Sequence, residues 1–365
     1  MNLRTISAKN LVINDGIAVS LYAHPLPPFI EADLARLYKN IFSSAAWLKI
    51  LGQWQQACAY VVRKRGEVTN VLLFRRESRV VHVLNEVIAM REDEIQRFAS
   101  TIFAAFKAVR IVSFEAIQTE IGRLSFPYQQ LNCLEDIVLT LPGTVDAYFS
   151  GLGKNMRSSL KRYQKKIAGD FPGFRYAIYE NNDVSEQHIM DIVALSSARM
   201  ASKNQVSAHT DIKTERLIRL VQSYGVVLVA TIDGRICAGV ICTHFEGNFF
   251  MHIIAHDPVY DDYRIGKVCC YFSICDAIGR VAKEYHFLWG QYEYKYRLLG
   301  VQRDLYRLVV YRSSIQLMLS CMTFLKTAWR GYGRCAKYWL LDEKRKNKHV
   351  PKLLLAGWSW ICRKL

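Results

Sequence analysis

The stretch GVVLVATIDGRICAGVICTHFEGNFFMHIIAHD, residues 225–257, determines the predicted fold of this chain. It contains three runs rich in β-branched and aromatic residues, separated by the dipeptides Asp233-Gly234 and Glu246-Gly247. Such runs with two-residue turns between them are typical of antiparallel strands joined by hairpins. We therefore predict a three-stranded meander, followed by a helix over about residues 265–283 and by the strand YHFLWG, residues 285–290.

The same order occurs earlier in the chain. Residues 58–88 read as three short strands, and a helical pattern over about 92–107 and the apolar strand VRIVSFEAI, residues 109–117, follow them. A meander, a helix and a strand that recur at similar lengths predict an internal duplication of fold. The predicted class is mixed α/β, with two tandem sheets flanked by helices, and the predicted domains are 1–142, 143–313 and a helical tail, 314–365.

Composition narrows the class of protein further. The chain has 365 residues, of which 51% are hydrophobic, so two packed domains are expected. No apolar run reaches the ~18 residues of a spanning helix, and the N-terminus lacks the apolar core of a signal peptide, which predicts a cytoplasmic protein. The ten cysteines form no CxxC pair and no zinc spacing. We expect them to be reduced and mostly buried, and we expect no metal site.

The two predicted helices differ at their first turns. The first helix begins with Glu92, Asp93 and Glu94, which already neutralise the positive end of the helix dipole. The second begins YRIGK and places Arg264, Ile265, Gly266 and Lys267 around free backbone N–H groups. A pyrophosphate suits the second start, while ordinary helix initiation after a loop is the alternative.

A basic segment precedes the second meander. Between residues 154 and 167, apolar side chains recur every three or four positions, and six cations lie between them. The cations are Lys154, Arg157, Lys161, Arg162, Lys165 and Lys166. This helix suits an anionic partner such as a phosphorylated acceptor, lipid headgroups or transfer RNA, unless it is simply a solvated face.

These features together resemble the GNAT acyltransferases, and two such units in tandem resemble their FemAB-like branch and the related cellulose-biosynthesis-type acetyltransferases. The resemblance rests on WLKILG (47–52), GKNMRSSLKRYQKK (153–166), YRIGK (263–267) and FLWGQYEYKYR (287–297). The last stretch is similar to a family pattern in which Phe-Leu-x-Gly precedes acidic residues and Tyr-Lys-x-Arg. His286 stands where the family often has an aspartate, Gln291 and Tyr292 replace an acidic pair, and the next glycine, Gly300, falls one residue late.

The resemblance implies an acyl-coenzyme A donor whose thioester lies where two strands separate, with Ile253 on the strand beside it and the pyrophosphate at residues 264–267. The residues after YHFLWG would then meet the acceptor. Glu293 is the predicted general base, and Lys295 or Tyr294 would stabilise negative charge or bind an anionic acceptor. Arg297, Arg157 and His209 complete the predicted substrate-binding set. An edge strand protected from aggregation by charges is the alternative for this polar run.

A histidine offers a rival base. Strict alternation along NFFMHIIAHD places Phe250, His252 and Ile254 on one face of the strand, so His252 would face the reaction centre. A hydrogen-bonded core histidine is the alternative.

The tail is the most basic part of the chain. The net charge is +17, and the last 52 residues hold eleven lysines and arginines against Asp342 and Glu343. Tryptophans lie among these cations, a pattern that suits an anionic membrane surface, a nucleic-acid backbone or a pair of packed helices.

Three functions follow as hypotheses. The first is an N- or O-acyltransferase that uses acyl-coenzyme A to modify an amine or hydroxyl of a small-molecule or lipid-linked cell-envelope or polysaccharide precursor, peripheral on the inner face of a membrane. The second takes its donor from aminoacyl-tRNA, as FemAB-like transferases do, and the charge of +17 favours it. The third is a non-catalytic scaffold that binds RNA or membrane.

Overall fold

The computed structural model divides the chain into two compact units, each assembled from two stretches. The first unit comprises Met1–Leu73 and Glu135–Arg303, and the second comprises Phe74–Leu134 and Asp304–Leu365. These units are composed differently from the consecutive domains that the sequence predicts. The structure describes residues 9–13, 16–202 and 211–320, together with residues 322, 325, 329, 333 and 334.

The described elements are, in chain order, β1 (Lys9–Ile13), β2 (Ile17–Tyr22), α1 (Phe29–Tyr38), α2 (Ala45–Ile50), β3 (Cys58–Lys64), β4 (Glu67–Glu77), β5 (Val80–Val83), β6 (Ile88–Ala89), α3 (Glu92–Ala105), β7 (Ile111–Gln118), β8 (Tyr128–Thr140), α4 (Val145–Gly151) and α5 (Lys154–Asp170). They continue with β9 (Phe174–Glu180), α6 (Glu186–Ser202), α7 (Asp211–Tyr224), β10 (Gly225–Ile232), β11 (Arg235–Phe245), β12 (Asn248–His256), α8 (Ile265–Gly279), β13 (Glu284–His286), α9 (Glu293–Arg297), β14 (Val301–Tyr311) and α10 (Ser314–Leu319).

The first unit contains a mixed sheet with the strand order β9-β10-β11-β12-β13-β8. All neighbours in this run are antiparallel except β12 and β13, which are parallel. Strands β1, β2 and β3 of the same unit also pair in antiparallel fashion. The predicted meander is present, and Asp233-Gly234 and Glu246-Gly247 both have positive φ at their turns, as tight hairpin turns require.

Helices cover both faces of this sheet. On one face, α8 buries Ile265, Cys269 and Ile274 in a core that also takes Met156 and Leu160 from α5. On the other face, α6 and α7 contribute a separate cluster that contains Ile192 and Val221. The predicted apolar stripe of the basic helix is therefore confirmed at Met156, Leu160 and Ile167, which are buried.

The second unit also combines a mixed sheet with a helix. Strands β5 and β6 are parallel to β7, and β14 is antiparallel to it. Phe98 of α3 packs edge-on against Phe74 and Phe114, with ring centroids 6.0 and 5.7 Å apart. The carboxylate of Glu92 accepts hydrogen bonds from the N–H groups of the loop at 122–123, so the acidic first turn of α3 is occupied by protein contacts.

The mixed α/β class is confirmed, but two predicted boundaries are wrong. The helix predicted to reach residue 283 ends at Gly279, because Val281 has φ +59° and a left-handed residue cannot continue a right-handed helix. The strand predicted over 285–290 ends at His286, since Leu288 and Gly290 also have positive φ. Among the helices that the structure describes, none is both long and apolar enough to cross a bilayer.

Candidate active site

A cavity opens at the point where β12 and β13 separate. The two strands pair only through Asn248↔Glu284, Phe249↔Tyr285 and Phe250↔His286. Beyond these pairs lies a cavity of about 700 Å³, lined by residues 251–254 of β12 and by the segment after β13. The family resemblance implies a separation of adjacent strands at the thioester of the donor.

A β-bulge at His252 changes the faces of β12. Ile241 pairs with Ile253 and Cys242 pairs with Met251, so His252 is the extra residue. In a regular strand Met251 and Ile253 would lie on the same face, because they are two residues apart. Here Met251 packs into the α8 core on one face, and Ile253 packs into the α6 and α7 core on the other. The predicted strict alternation is therefore wrong beyond His252, and Ile254 lies on the face opposite to His252 because the bulge adds one residue to the period.

His252 lies in the cavity wall as a neutral imidazole. Its Nε2 is hydrogen bonded to Thr243 Oγ1 at 2.9 Å, and its ring contacts Phe42 edge-on at a centroid distance of 6.0 Å. Burial lowers the pKa of His252 to about 4. A base with so low a pKa is weak at neutral pH, so His252 is better suited to orient a ligand by hydrogen bonding than to take up a proton.

The opposite wall is held in place by Lys295. Its ammonium group donates hydrogen bonds to the carbonyl oxygens of Phe287 at 2.8 Å and Leu288 at 3.0 Å, and also to that of Trp289. Lys295 is 2% exposed, and burial lowers its pKa to about 8. Lys295 was predicted to stabilise negative charge on the substrate. Instead, its three N–H donors bind carbonyl oxygens of the loop that forms this cavity wall.

Two buried carboxylates lie behind this loop, and sequence reasoning missed both. Glu135 Oε1 accepts a hydrogen bond from the N–H of Gly290 at 2.8 Å, and Asp136 Oδ2 lies 2.6 Å from His286 Nδ1. Both carboxylates belong to β8 and are 1% exposed. The sequence does contain a signal for them, since two adjacent acids lie in the apolar stretch LEDIVLT, residues 134–140. Carboxylates in a buried strand require hydrogen-bonding or charged partners.

His286 connects these acids to a larger ion-pair network. Its Nε2 lies 3.3 Å from Glu284, which in turn pairs with Arg303. Burial opposes protonation of His286, but the charges and hydrogen bonds of Asp136 and Glu284 outweigh it and raise the pKa above its usual value. Asp136 therefore supplies a carboxylate beside the position where the family resemblance implies an aspartate.

Aromatic rings form part of the cavity wall. Phe42 contacts Trp289 at a centroid distance of 5.4 Å, Trp47 at 5.8 Å and Phe250 at 6.0 Å. Trp47 belongs to the WLKILG stretch that carries part of the family resemblance, and it lines the cavity together with Leu51. Tyr294, which stays a prediction as a substrate contact, also lines the cavity, and burial raises its pKa.

Cations from α6 and α7 also line the cavity. Arg199, Lys213 and Arg216 line the cavity, and the described lining includes no aspartate or glutamate. The ligand that best fits these walls therefore combines an apolar or ring-shaped part with a negatively charged group.

The predicted donor site lies at the start of α8, and the structure corrects the role of its glycine. A Cβ on Gly266 would lie 2.8 Å from Nδ1 of His256, so the missing side chain leaves room for His256 rather than for a ligand. Arg264 precedes the helix with φ +49°, and Ile265 is fully buried. Burial lowers the pKa of the half-buried Lys267, and Arg264 and Lys267 supply cations at a first turn without an acidic residue.

Three further predicted residues lie elsewhere. Glu293 and Arg297 pair with each other at 2.6 Å on the exposed face of α9, with 70% and 58% of their side chains exposed, and neither lines the cavity. Arg157 donates to the carbonyl oxygens of Ser150 and Leu152, each at 2.6 Å, so it closes the end of α4. The prediction for His209 lies outside the described residues.

No group of His, Cys, Asp and Glu residues within the described part of the chain is arranged to hold a metal ion.

Comparisons with known proteins show what part of this chain is similar to. Residues 154–296 match the family model described as an acetyltransferase (GNAT) domain. A search of curated proteins by sequence gave no match. Among solved structures, FemX matches with a TM-score of 0.58 at 9% identity over 77% of this chain and 96% of that one.

Two other structures are similar over most of the chain. L-PGS from Bacillus licheniformis matches with a TM-score of 0.51 at 16% identity, covering 85% of this chain and 98% of its own. A conserved protein of unknown function from Bacteroides thetaiotaomicron matches with a TM-score of 0.50 at 10% identity, covering 84% and 100%. At these identities the likeness concerns the fold. The chain thus has a GNAT-like fold, and its residues 154–296 are similar to an acetyltransferase (GNAT) domain.

Proposed function

We propose that this protein transfers an acyl group from acyl-coenzyme A to an amine or hydroxyl of a cell-envelope or polysaccharide precursor. The observation that carries the proposal is the cavity where β12 and β13 separate within the acetyltransferase domain. The envelope precursor rests on the resemblance to the FemAB-like branch. The cations Arg199, Lys213 and Arg216 in the cavity wall favour an acceptor that carries an acidic group.

Acyl transfer needs an acceptor held near the thioester and a donor for the oxygen that becomes negative. The bulge at His252 leaves one residue of β12 outside the regular ladder, and we assign its backbone N–H as the donor for that oxygen. His252 orients the acceptor by hydrogen bonding, and the aromatic wall excludes water. Glu293 lies outside the cavity, so we do not assign it the role of base. The bond from the acceptor to the acyl carbon forms as the thioester C–S bond breaks, and the leaving coenzyme A thiolate takes up the proton that the acceptor loses.

The start of α8 fits the donor's pyrophosphate by charge. Arg264 and Lys267 would hold it, and the bound donor would supply the activated thioester. The first turn of α3, in contrast, begins with three acidic residues.

Charge reversal tests the donor site. Lys267→Glu places a negative charge at the first turn of α8, so we expect acetyl-coenzyme A to bind at least about tenfold more weakly, by calorimetry. Lys107→Glu, on an exposed position after α3, is the matched control and should bind normally. Equal affinity of the two variants for acetyl-coenzyme A would contradict the assignment of its pyrophosphate to the start of α8.

A second candidate is transfer from aminoacyl-tRNA, and the exposed face of α5 favours it. Lys154, Lys161, Arg162, Lys165 and Lys166 are exposed, and none of them forms an ion pair with a described residue. Such a face suits a phosphate backbone. Mass spectrometry of nucleotides that co-purify with the protein separates the donors, since tRNA supports the second candidate and coenzyme A the first.

A further inference from the structure

The C-terminal half of α5 packs against the turn that leads into α8, Pro258–Tyr263. The hydroxyl of Tyr263 donates a hydrogen bond to Asp170 Oδ2 at 2.9 Å, and Lys166 Nζ lies 4.2 Å from the centroid of the same tyrosine ring. Arg264 follows Tyr263 directly in the chain. These contacts therefore bring the cations of α5 to the start of α8.

A second tyrosine joins the two elements. The hydroxyl of Tyr163, on α5, accepts a hydrogen bond from Arg162 Nη2 at 3.1 Å. Burial opposes ionisation of this hydroxyl, but hydrogen bonds and charges from Arg162 and Arg264 outweigh it and lower the pKa of Tyr163. Two guanidinium groups, one from each element, thus meet at one hydroxyl.

Four cations share this surface, which we call the α5–α8 cluster: Arg162, Lys166, Arg264 and Lys267. Arg162, Lys166 and Arg264 are exposed, and Lys267 is half-buried. Within the part of the chain that the structure describes, none of the four forms an ion pair. Like charges held close together repel each other, so the cluster is suited to an anionic ligand.

The protein supplies little negative charge of its own here. Asp170 accepts the hydrogen bond from Tyr263, and Asp261 Oδ1 lies 2.7 Å from His256 Nε2. Asp262 is exposed and forms no ion pair with any described residue. The segments outside the described residues contain three acidic residues in all, Asp15, Asp342 and Glu343.

The position of the cluster identifies its ligand. The proposed donor has its pyrophosphate at Arg264 and Lys267, and the ribose joined to that pyrophosphate in coenzyme A carries a further phosphate on its 3′ oxygen. Arginine and lysine are the side chains that best bind phosphate oxygens. We infer that Arg162 and Lys166 bind the 3′-phosphate of the acyl-coenzyme A donor. This inference rests on the proposed function, because it takes the same donor.

Calorimetry of the full chain with coenzyme A and with 3′-dephospho-coenzyme A tests the inference on the unchanged protein. The two compounds differ only in the 3′-phosphate, so we expect coenzyme A to bind at least about tenfold more tightly. Salt should reduce this difference, because ions screen exposed charges. Equal affinities would overturn the inference and leave acyl-coenzyme A as the donor. Binding of neither compound would overturn the proposed donor as well.

A paired substitution assigns the effect to α5. Arg162→Gln with Lys166→Gln should lower the affinity for coenzyme A by about tenfold and leave the affinity for the dephospho compound unchanged. Lys161→Gln with Lys165→Gln removes the same charge from the same helix and is the matched control, since Lys161 lies over the ring of Phe149 instead. The control should keep the difference between the two compounds. An equal loss in both double variants would contradict the inference.

The same variants distinguish coenzyme A from a nucleic acid. If Arg162→Gln with Lys166→Gln weakens binding to tRNA but leaves the affinity for coenzyme A intact, the cluster contacts nucleic-acid phosphates and the inference is wrong. The four substituted side chains are exposed, so we expect both double variants to melt as the unchanged protein does.

Discussion

His252 illustrates how a single position sets the chemistry of the cavity. Its bulge places the imidazole on the cavity side of β12, and its burial keeps the ring neutral. Thr243 fixes one ring nitrogen, so the ring has a defined orientation. A residue of this kind positions an acceptor more readily than it removes a proton.

The low pKa of His252 predicts a loss of stability in acid. Its pKa is about 4 in the folded state and 6.5 in the reference state, so the unfolded chain binds more protons between these values. Stability should therefore fall as the pH falls through this window. His252→Gln, which keeps a hydrogen-bonding side chain, should lose about 2 kcal/mol less between pH 7 and pH 4.5 than the unchanged protein.

Urea unfolding at both pH values measures this difference. The raised pKa of His286 acts in the opposite direction, because its stabilising effect is present at low pH and is lost as the pH rises through its folded-state pKa. This contribution of His286 is the same in the His252→Gln variant and in the unchanged protein, so it cancels when the two are compared. Identical acid sensitivity of variant and unchanged protein would contradict a buried, neutral His252.

At the scale of an element, the segment from Phe287 to Arg297 replaces the strand that its apolar residues predict. Leu288 and Gly290 have positive φ, and three consecutive carbonyl groups turn toward Lys295. Glu135 holds the N–H of Gly290 from β8. Buried charges thus shape the loop that carries Trp289 and Tyr294 into the cavity wall.

Removing the anchoring ammonium should destabilise the fold. Lys295→Met keeps the length of the side chain but leaves three backbone carbonyl groups without their donor, so we expect the free energy of unfolding to fall by about 2–4 kcal/mol. Lys283→Met, at an exposed position, should change it by less than about 0.5 kcal/mol. Chemical unfolding of both variants gives the comparison. A fully stable Lys295→Met protein without transfer activity would restore a direct catalytic role.

At the scale of the whole molecule, the charge of +17 is concentrated in particular places. One is the exposed face of α5, where Lys161 lies over the ring of Phe149 and Lys166 over that of Tyr263. Another is the C-terminal 52 residues, most of which lie outside the described part of the chain. The membrane contact predicted for Val350–Leu365 falls there and stays a prediction.

Charge reversal on α5 distinguishes a nucleic-acid face from a solvated one. If the helix contacts phosphates, Lys161→Glu with Lys165→Glu should weaken binding to tRNA and reduce the slope of log affinity against log salt by about two. Filter binding over a salt series measures the slope. Reversal of Lys64 and Lys107, which are exposed outside α5, is the matched control. If the α5 double variant and the control double variant give the same slope, the exposed face of α5 is solvated and does not contact phosphates.

The sequence by itself determined the elements and their order. Hairpin turns with Gly at positive φ and β-branched runs are local signals, so the meander over 225–256 could be predicted almost to the residue. The apolar stripe of α5 is equally local, because side chains three or four residues apart share a face.

Only the tertiary structure decided which residues form the candidate site. Asp136 and His286 are 150 residues apart in sequence, and nothing in the spacing of either predicts their contact at 2.6 Å. The bulge at His252 appears only when β12 pairs with β11, since an unpaired strand has no register to shift. Lys295 and Glu293 are two residues apart, yet one is buried and the other exposed, because α9 turns one side toward the core and the other toward solvent.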